Sequence, residues 1–209
     1  MKSYIWLGGL IIVLVAFLFL SVKSESGVDT PNNIGVISVA DNAKGNINSP
    51  LVVTEYSDFQ CSACRVYYFV MREFAVEFGD RVAFVYRHFP LNQHKNAELA
   101  ARASQAAGKQ GKFWEMHDLL FEKQNEWAEV KDVDVIFDSY ANLIGLSLEQ
   151  FKSDFNSKEI KNMVNDQKNG AIKLHLQGTP SFFVGDKLIQ NPNSTEAFKT
   201  IIREALKNN

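Results

Sequence analysis

Cys61 and Cys64 are the only two cysteines in the 209 residues, and they stand three positions apart where a β-branched apolar run gives way to an amphipathic one. Residues 51–56, Leu-Val-Val-Thr-Glu-Tyr, follow a turn-like Asn-Ile-Asn-Ser-Pro and predict a buried strand. From Cys61 onward Val66, Val70, Phe74 and Phe78 recur every four residues, an apolar stripe along a helix that Gly79-Asp80 ends. Residues 81–88 predict a second strand, with Val82, Phe84 and Tyr86 on one face and Ala83 and Val85 on the other, and Pro90 stops it. Strand, helix and strand within so short a span make a βαβ unit, whose strands run parallel.

The middle of the chain reads as helical. Residues 97–108 are Ala-rich and suit close packing. Residues 112–124 carry Phe113, Met116 and Leu120 at helical spacing. Residues 132–144 do the same with Ile136, Tyr140, Leu143 and Ile144, and residues 148–155 follow Ser147 as an N-cap. Residues 158–176 carry Ile160, Met163, Val164 and Ala171, and Gly178-Thr-Pro180 breaks the pattern. Residues 181–184 and 187–189 then read as a hairpin around Gly185-Asp186. A last helix over 195–206 turns Phe198, Ile201, Ile202, Ala205 and Leu206 to one side. Residues 34–40 offer a further strand at the front. The expected order is βαβ, a helical block, then ββα.

No charge interrupts residues 4–22, a run of 19 that as a helix would span roughly 28 Å, close to the hydrocarbon thickness of a bilayer. Two readings compete. One is an uncleaved membrane anchor over 1–22. The other is a cleavable signal sequence, although the run is longer than such an apolar core usually is and no A-x-A follows it. Either way the rest of the chain is exported. Residues 23–33, polar with Gly, Pro and Asn, read as a linker. The remaining 176 residues are enough for a sizeable core, and a net charge of −2 gives no pointer to nucleic acid.

The cysteine pair carries the chemistry. A thiol at a helix N-terminus faces unpaired N–H groups and the positive end of the macrodipole, which lowers its pKa below the free value of about 8.5. A second thiol one turn on can form an intramolecular disulfide and resolve a mixed disulfide made by the first. Three blander readings weigh less. A structural cross-link closing so short a loop removes little unfolded-state entropy. A zinc site needs four ligands, and His88, His94, His117 and His175 are badly spaced to complete one. The third is a pair of inert buried thiols. Glu55, six residues before Cys61, lies on the strand face opposite Thr54 and Tyr56. If it points under the helix start it is a buried acid with a raised pKa, able to exchange the proton of Cys64. Asp58 reads as a loop or capping acid. Thr179-Pro180, directly before a strand, is either a cis peptide or a simple helix stop.

Four separated blocks, Glu55-Tyr-Ser-Asp-Phe-Gln-Cys-Ser-Ala-Cys64, Tyr86-Arg-His-Phe-Pro-Leu91, Gly111-Lys-Phe-Trp-Glu-Met-His-Asp118 and Gly178-Thr-Pro-Ser-Phe-Phe-Val-Gly185, resemble the DsbA-like thioredoxin-fold oxidoreductases, in particular the membrane-anchored, BdbD-like branch. The resemblance implies an α/β thioredoxin fold over 34–93 and 177–209 with a helical domain inserted at 94–176. It implies Cys61 as an exposed nucleophile, Cys64 as the buried resolving thiol, Glu55 as the acid beneath them, Pro180 as a cis-proline opposite the disulfide, and Thr179 as a backbone contact for substrate. His88, His94, His117 and Trp114 read as packing or helix-surface residues. Many strong oxidants of this family carry Pro or His between the cysteines. Ser62-Ala63 supplies no cation, so a milder oxidant is expected.

The functional expectation is a monomeric protein disulfide oxidoreductase without metal or cofactor, anchored in a bacterial membrane with its catalytic part outside the cytoplasm. It would oxidise thiols of exported proteins as they fold and be reoxidised by a DsbB-like membrane partner, as the resemblance implies. The alternatives are a membrane-fed reductase or isomerase, and a non-catalytic binding or chaperone module on the same scaffold.

Overall fold

The computed structural model describes residues 34–208; the apolar run at 4–22 and the linker at 23–33 lie outside the described residues. Among the described residues no helix is long and apolar enough to cross a membrane. Strands β1 (Asn42–Gly45), β2 (Val52–Ser57) and β3 (Ala83–His88) join the later β4 (Ser181–Val184) and β5 (Lys187–Ile189) in one sheet of order β1-β3-β2-β4-β5. Helix α1 (Ser62–Phe78) connects β2 to β3, which pair in parallel with Val53 opposite Phe84 and Glu55 opposite Tyr86. The other pairings are antiparallel.

β2 is central and buried along its length, so Thr54, Glu55 and Ser57 are buried together with its apolar side chains. One face of the sheet presents Val53, Phe84, Phe182 and Val184 to Phe74 and Phe78 of α1 and to Phe198 and Ile202 of α8 (Thr195–Lys207). Phe74 meets Phe84 edge-on with centroids 4.8 Å apart. Each such burial contributes roughly 1.5–3 kcal/mol. The opposite face packs Val52, Ala83 and Val85 against Ile37 and Ala43, and Tyr56 and Phe183 against Ile34 and Ala171.

Between β3 and β4 the chain forms α2 (Ala97–Gly108), α3 (Phe113–Glu122), the single turn α4 (Gln124–Trp127), α5 (Asp134–Leu143), α6 (Leu148–Phe155) and α7 (Lys158–Lys173). The alanines of α2 pack against Phe113, Met116 and Leu120 of α3 in a second core that also takes in Phe59, Cys64 and Tyr86. Ser147 caps α6 by accepting the Gln150 N–H. The β4–β5 hairpin turns at Gly185, whose φ of +61° suits glycine.

Three expectations change. Residues 34–40 form turns that cover the back of the sheet, and the front strand is Asn42–Gly45 on the edge beside β3. Backbone pairing, not an apolar pattern, defines that strand, so its sequence carries no signal. Val66 is 63% exposed, and the buried line on α1 runs instead through Cys64, Tyr68, Phe74 and Phe78. The first turns of α1 pack Cys64 and Tyr68 into the core of the helical block, while its later turns pack Phe74 and Phe78 on the sheet, so one four-residue stripe does not serve both. On α5 the buried residues are Phe137, Tyr140 and Ala141, while Leu143 is exposed, because α5 ends as the chain turns away at Gly145.

Candidate active site

Asp58-Phe-Gln60 carries the chain from the end of β2 into α1, and the local hydrogen bonds explain the turn. Asp58 Oδ1 accepts the Gln60 N–H at 2.7 Å and Asp58 Oδ2 accepts the Leu91 N–H at 2.9 Å, with His94 Nδ1 2.7 Å away. Asp58 is thus the acid that shapes the loop. Cys61 is the N-cap residue of α1, in extended conformation, and the first turn of the helix contains no acid to compete with a thiolate. The sulfur lies 3.5 Å from the carbonyl oxygen of Thr179, in the segment where the Thr179–Pro180 peptide is cis. Elements far apart in sequence, the end of β2 and the start of β4, therefore meet at Cys61.

The two thiols differ sharply. Cys61 is lowered to about 5, first by the hydrogen bond from the Cys64 thiol and then by the N–H groups of Cys64 and Ala63 at the helix start. Cys64 is fully buried, and burial pushes its thiol well above the ordinary value, with the neighbouring Cys61 adding to the rise. Cys61 is itself only 8% exposed, less open than the resemblance implies, with the Thr179 carbonyl against its sulfur.

Glu55 lies beneath the pair, on the face of β2 that looks toward α1, between Tyr86 on β3 and Phe182 on β4. Burial raises its carboxyl to about 7, and the charge of Cys61 adds to this. A small cavity of about 20 Å³ opens beside it, walled by Tyr68, Arg72, Tyr86, Trp114, His117 and Lys44. The Lys44 ammonium stands 4.1 Å over the Trp114 ring, and burial pushes it below its ordinary value. His88 and His117 are packed among aromatic rings, and burial holds them near 3 and near 4, neutral throughout the physiological range.

Sequence reasoning passed over three residues at this site. Lys44 sits on a strand that had no pattern. Gln124 donates to the carbonyls of Phe59 at 2.7 Å and Cys61 at 3.1 Å across more than sixty residues, which no local signal reveals. Ser57 shares the β2 face with Glu55 by simple alternation, and that signal was available.

The profile of a thioredoxin family matches residues 38–204. The chain belongs to the thioredoxin family. Among solved structures it is similar to a thioredoxin-like oxidoreductase from Silicibacter pomeroyi, with a TM-score of 0.70, 26% identity, and 81% of this chain and 94% of that one covered. It is similar also to oxidised BdbD from Bacillus subtilis, with a TM-score of 0.69, 26% identity, and coverage of 80% and 94%. Wolbachia pipientis α-DsbA1 shares the fold at a TM-score of 0.75 with 22% identity over 86% of this chain and 97% of that one. The thioredoxin-family fold is thus that of the DsbA-like thiol–disulfide oxidoreductases. Curated relatives include the Na(+)/H(+) antiporter NhaA 1 of Mycolicibacterium vanbaalenii, 39% identical over 149 residues, covering 69% of this chain and 23% of that protein. NhaA 3 of Salinispora tropica is 33% identical over 166 residues, 79% of this chain and 24% of that protein. The chain spans about a quarter of the length of these relatives.

Proposed function

We propose that the chain is a thiol–disulfide oxidoreductase that introduces disulfides into exported proteins. The observation that carries this is the asymmetry of the pair: a Cys61 thiol lowered to about 5 at a helix N-cap, against a buried Cys64 thiol pushed up one turn later. In the oxidised protein a client thiolate attacks the Cys61 sulfur and breaks the Cys61–Cys64 bond. A mixed disulfide forms on Cys61, and Cys64 leaves as a thiolate that takes up a proton. A second client thiolate attacks the client sulfur of that mixed disulfide. The client departs with its disulfide, and Cys61 is released as a stabilised thiolate. Stabilising the reduced form is what makes a dithiol pair oxidising. Glu55 is the group that supplies the proton to Cys64, and Thr179 and Pro180 form the wall against which an extended client backbone lies.

A nucleophile near 5 lies between the thiol values of about 7 for thioredoxin and about 3.5 for DsbA. The reduction potential should accordingly fall between about −270 mV and about −120 mV. A potential close to the thioredoxin figure favours the reductase reading, consistent with Ser62-Ala63 offering no cation. The uncharged run at 4–22 supports an extracytoplasmic, membrane-tethered setting, with a DsbB-like membrane partner to reoxidise the pair. The match to the NhaA proteins covers about a quarter of their length and gives no support to ion antiport by this chain. The test is disulfide insertion into a reduced, unfolded substrate protein, with insulin reduction alongside. Cys61→Ser should abolish both; unchanged activity in that variant would exclude the enzyme.

A further inference from the structure

Ser57 is the last residue of β2 and is almost fully buried, on the strand face that also holds Glu55. Its hydroxyl oxygen makes no settled hydrogen bond, and neither do Glu55 Oε1 or the Tyr86 hydroxyl. Leaving a buried polar group unsatisfied costs about 1–3 kcal/mol, so three together in a packed core ask for a reason. The Ser57 hydroxyl lies within range of Glu55, Cys64 and Tyr86 and acts on each of them. Glu55 and Cys64, by contrast, feel each other only through charge. A hydroxyl both accepts and donates, and it turns freely about its C–O bond.

We propose that the Ser57 hydroxyl relays the proton between Cys64 and Glu55. The inference rests on the oxidoreductase reading above. When reduced protein attacks a disulfide, Cys61 forms the mixed disulfide and expels a thiolate. Resolution then moves two protons: Cys64 S–H passes one to Ser57 Oγ as Ser57 passes its own to the Glu55 carboxylate. The Cys64 sulfur bonds to the Cys61 sulfur, the bond from Cys61 to the partner sulfur breaks, and that sulfur leaves as a thiolate. The Cys pair is oxidised by two electrons and the partner disulfide is reduced by two. Glu55, now protonated, loses its proton into the adjoining cavity, whose volume of about 20 Å³ is large enough for one water between Glu55, Tyr86 and Lys44. Disulfide insertion runs the same relay in reverse.

The test is single-turnover reaction of the reduced full-length protein, in detergent, with oxidised glutathione, quenched with acid and resolved by mass. In Ser57→Ala the Cys61–glutathione adduct should form at a rate within about twofold of wild type and then decay at least about tenfold more slowly. Ser57→Thr, which keeps the hydroxyl, should restore decay. Wild-type decay in the alanine variant, or equal slowing in both variants, overturns the relay. If Ser57→Ala fails to fold, the wild-type decay rate in mixtures of light and heavy water decides: a curved dependence means two protons in flight, and a linear one overturns the relay. A wild-type protein that forms no adduct at all sinks the oxidoreductase reading instead.

Discussion

The side-chain amide of Gln124 donates to the carbonyls of both Phe59 and Cys61, so the helical block grips the backbone of the residue that bears the low thiol. Neighbouring amides repeat the arrangement. Gln60 Nε2 reaches Ala128 O at 2.7 Å, and Asn96 Nδ2 reaches Trp127 O at 3.1 Å and Val130 O at 2.8 Å. Gln124→Leu strips the side-chain partner from Phe59 O, while Cys61 O keeps the Arg65 N–H. The variant should lose about 1–3 kcal/mol of stability in chemical denaturation. A loss within error would mean that the loop holds its own shape.

Cys61 owes its lowered value first to the Cys64 thiol. Alkylation of the reduced protein by iodoacetamide should reach half its plateau rate near pH 5 and label Cys61 alone. A hydrogen bond to a charged group is worth about 1.5–3 kcal/mol, so Cys64→Ala should move the midpoint up by about one to two pH units. An unmoved midpoint would assign the thiolate to the helix start instead.

Glu55 gives the fold a pH dependence with a definite sign. Its folded value, about 7, lies above the ordinary 4.5, so between these limits the folded state holds the proton more tightly. The stabilisation is whole below pH 4.5 and is lost as pH rises through 7, by an amount on the order of 3 kcal/mol. Glu55→Gln cannot titrate. Urea melts of the two reduced proteins at pH 4 and pH 8 should therefore show the variant gaining on wild type by that order at the higher pH. Parallel curves would mean that Glu55 is not held in an apolar site.

On the back of the sheet Arg87 and Asp41 form an ion pair at 2.8 Å with side chains 1% and 2% exposed. Arg87 also donates to Val36 O, so the pair fastens the 34–41 segment to β3. Removing one member of a buried pair costs about 3–5 kcal/mol. Asp41→Ala should lower the melting temperature sharply while leaving iodoacetamide labelling of Cys61 at 25 °C as in wild type, because the two sites lie on opposite faces of the sheet.

What could be read in advance was what near neighbours decide. A β-branched run before Cys61, an amphipathic stretch after it and a Pro after the next strand are each local, and the βαβ order followed from them; the Ser147 cap and the hairpin at Gly185-Asp186 followed as locally from their own residues. Strand alternation set Glu55 on the face opposite Thr54 and Tyr56, but only the packing of α1 over that face put it under the helix. Val66 was misread because a four-residue repeat gives the period of a helix but not the direction from which the core approaches it.

The amino-acid order thus determined a thiol pair at the start of a helix, since two residues three apart and a change of pattern suffice for it. Tertiary packing decided the rest: that Thr179 would face Cys61 across 118 positions, that Gln124 would hold its backbone, and that Lys44, from an edge strand without pattern, would stand over Trp114 near Glu55. These are contacts between groups far apart along the chain, and their energies exist only once the sheet and the helical block have closed around the same few atoms.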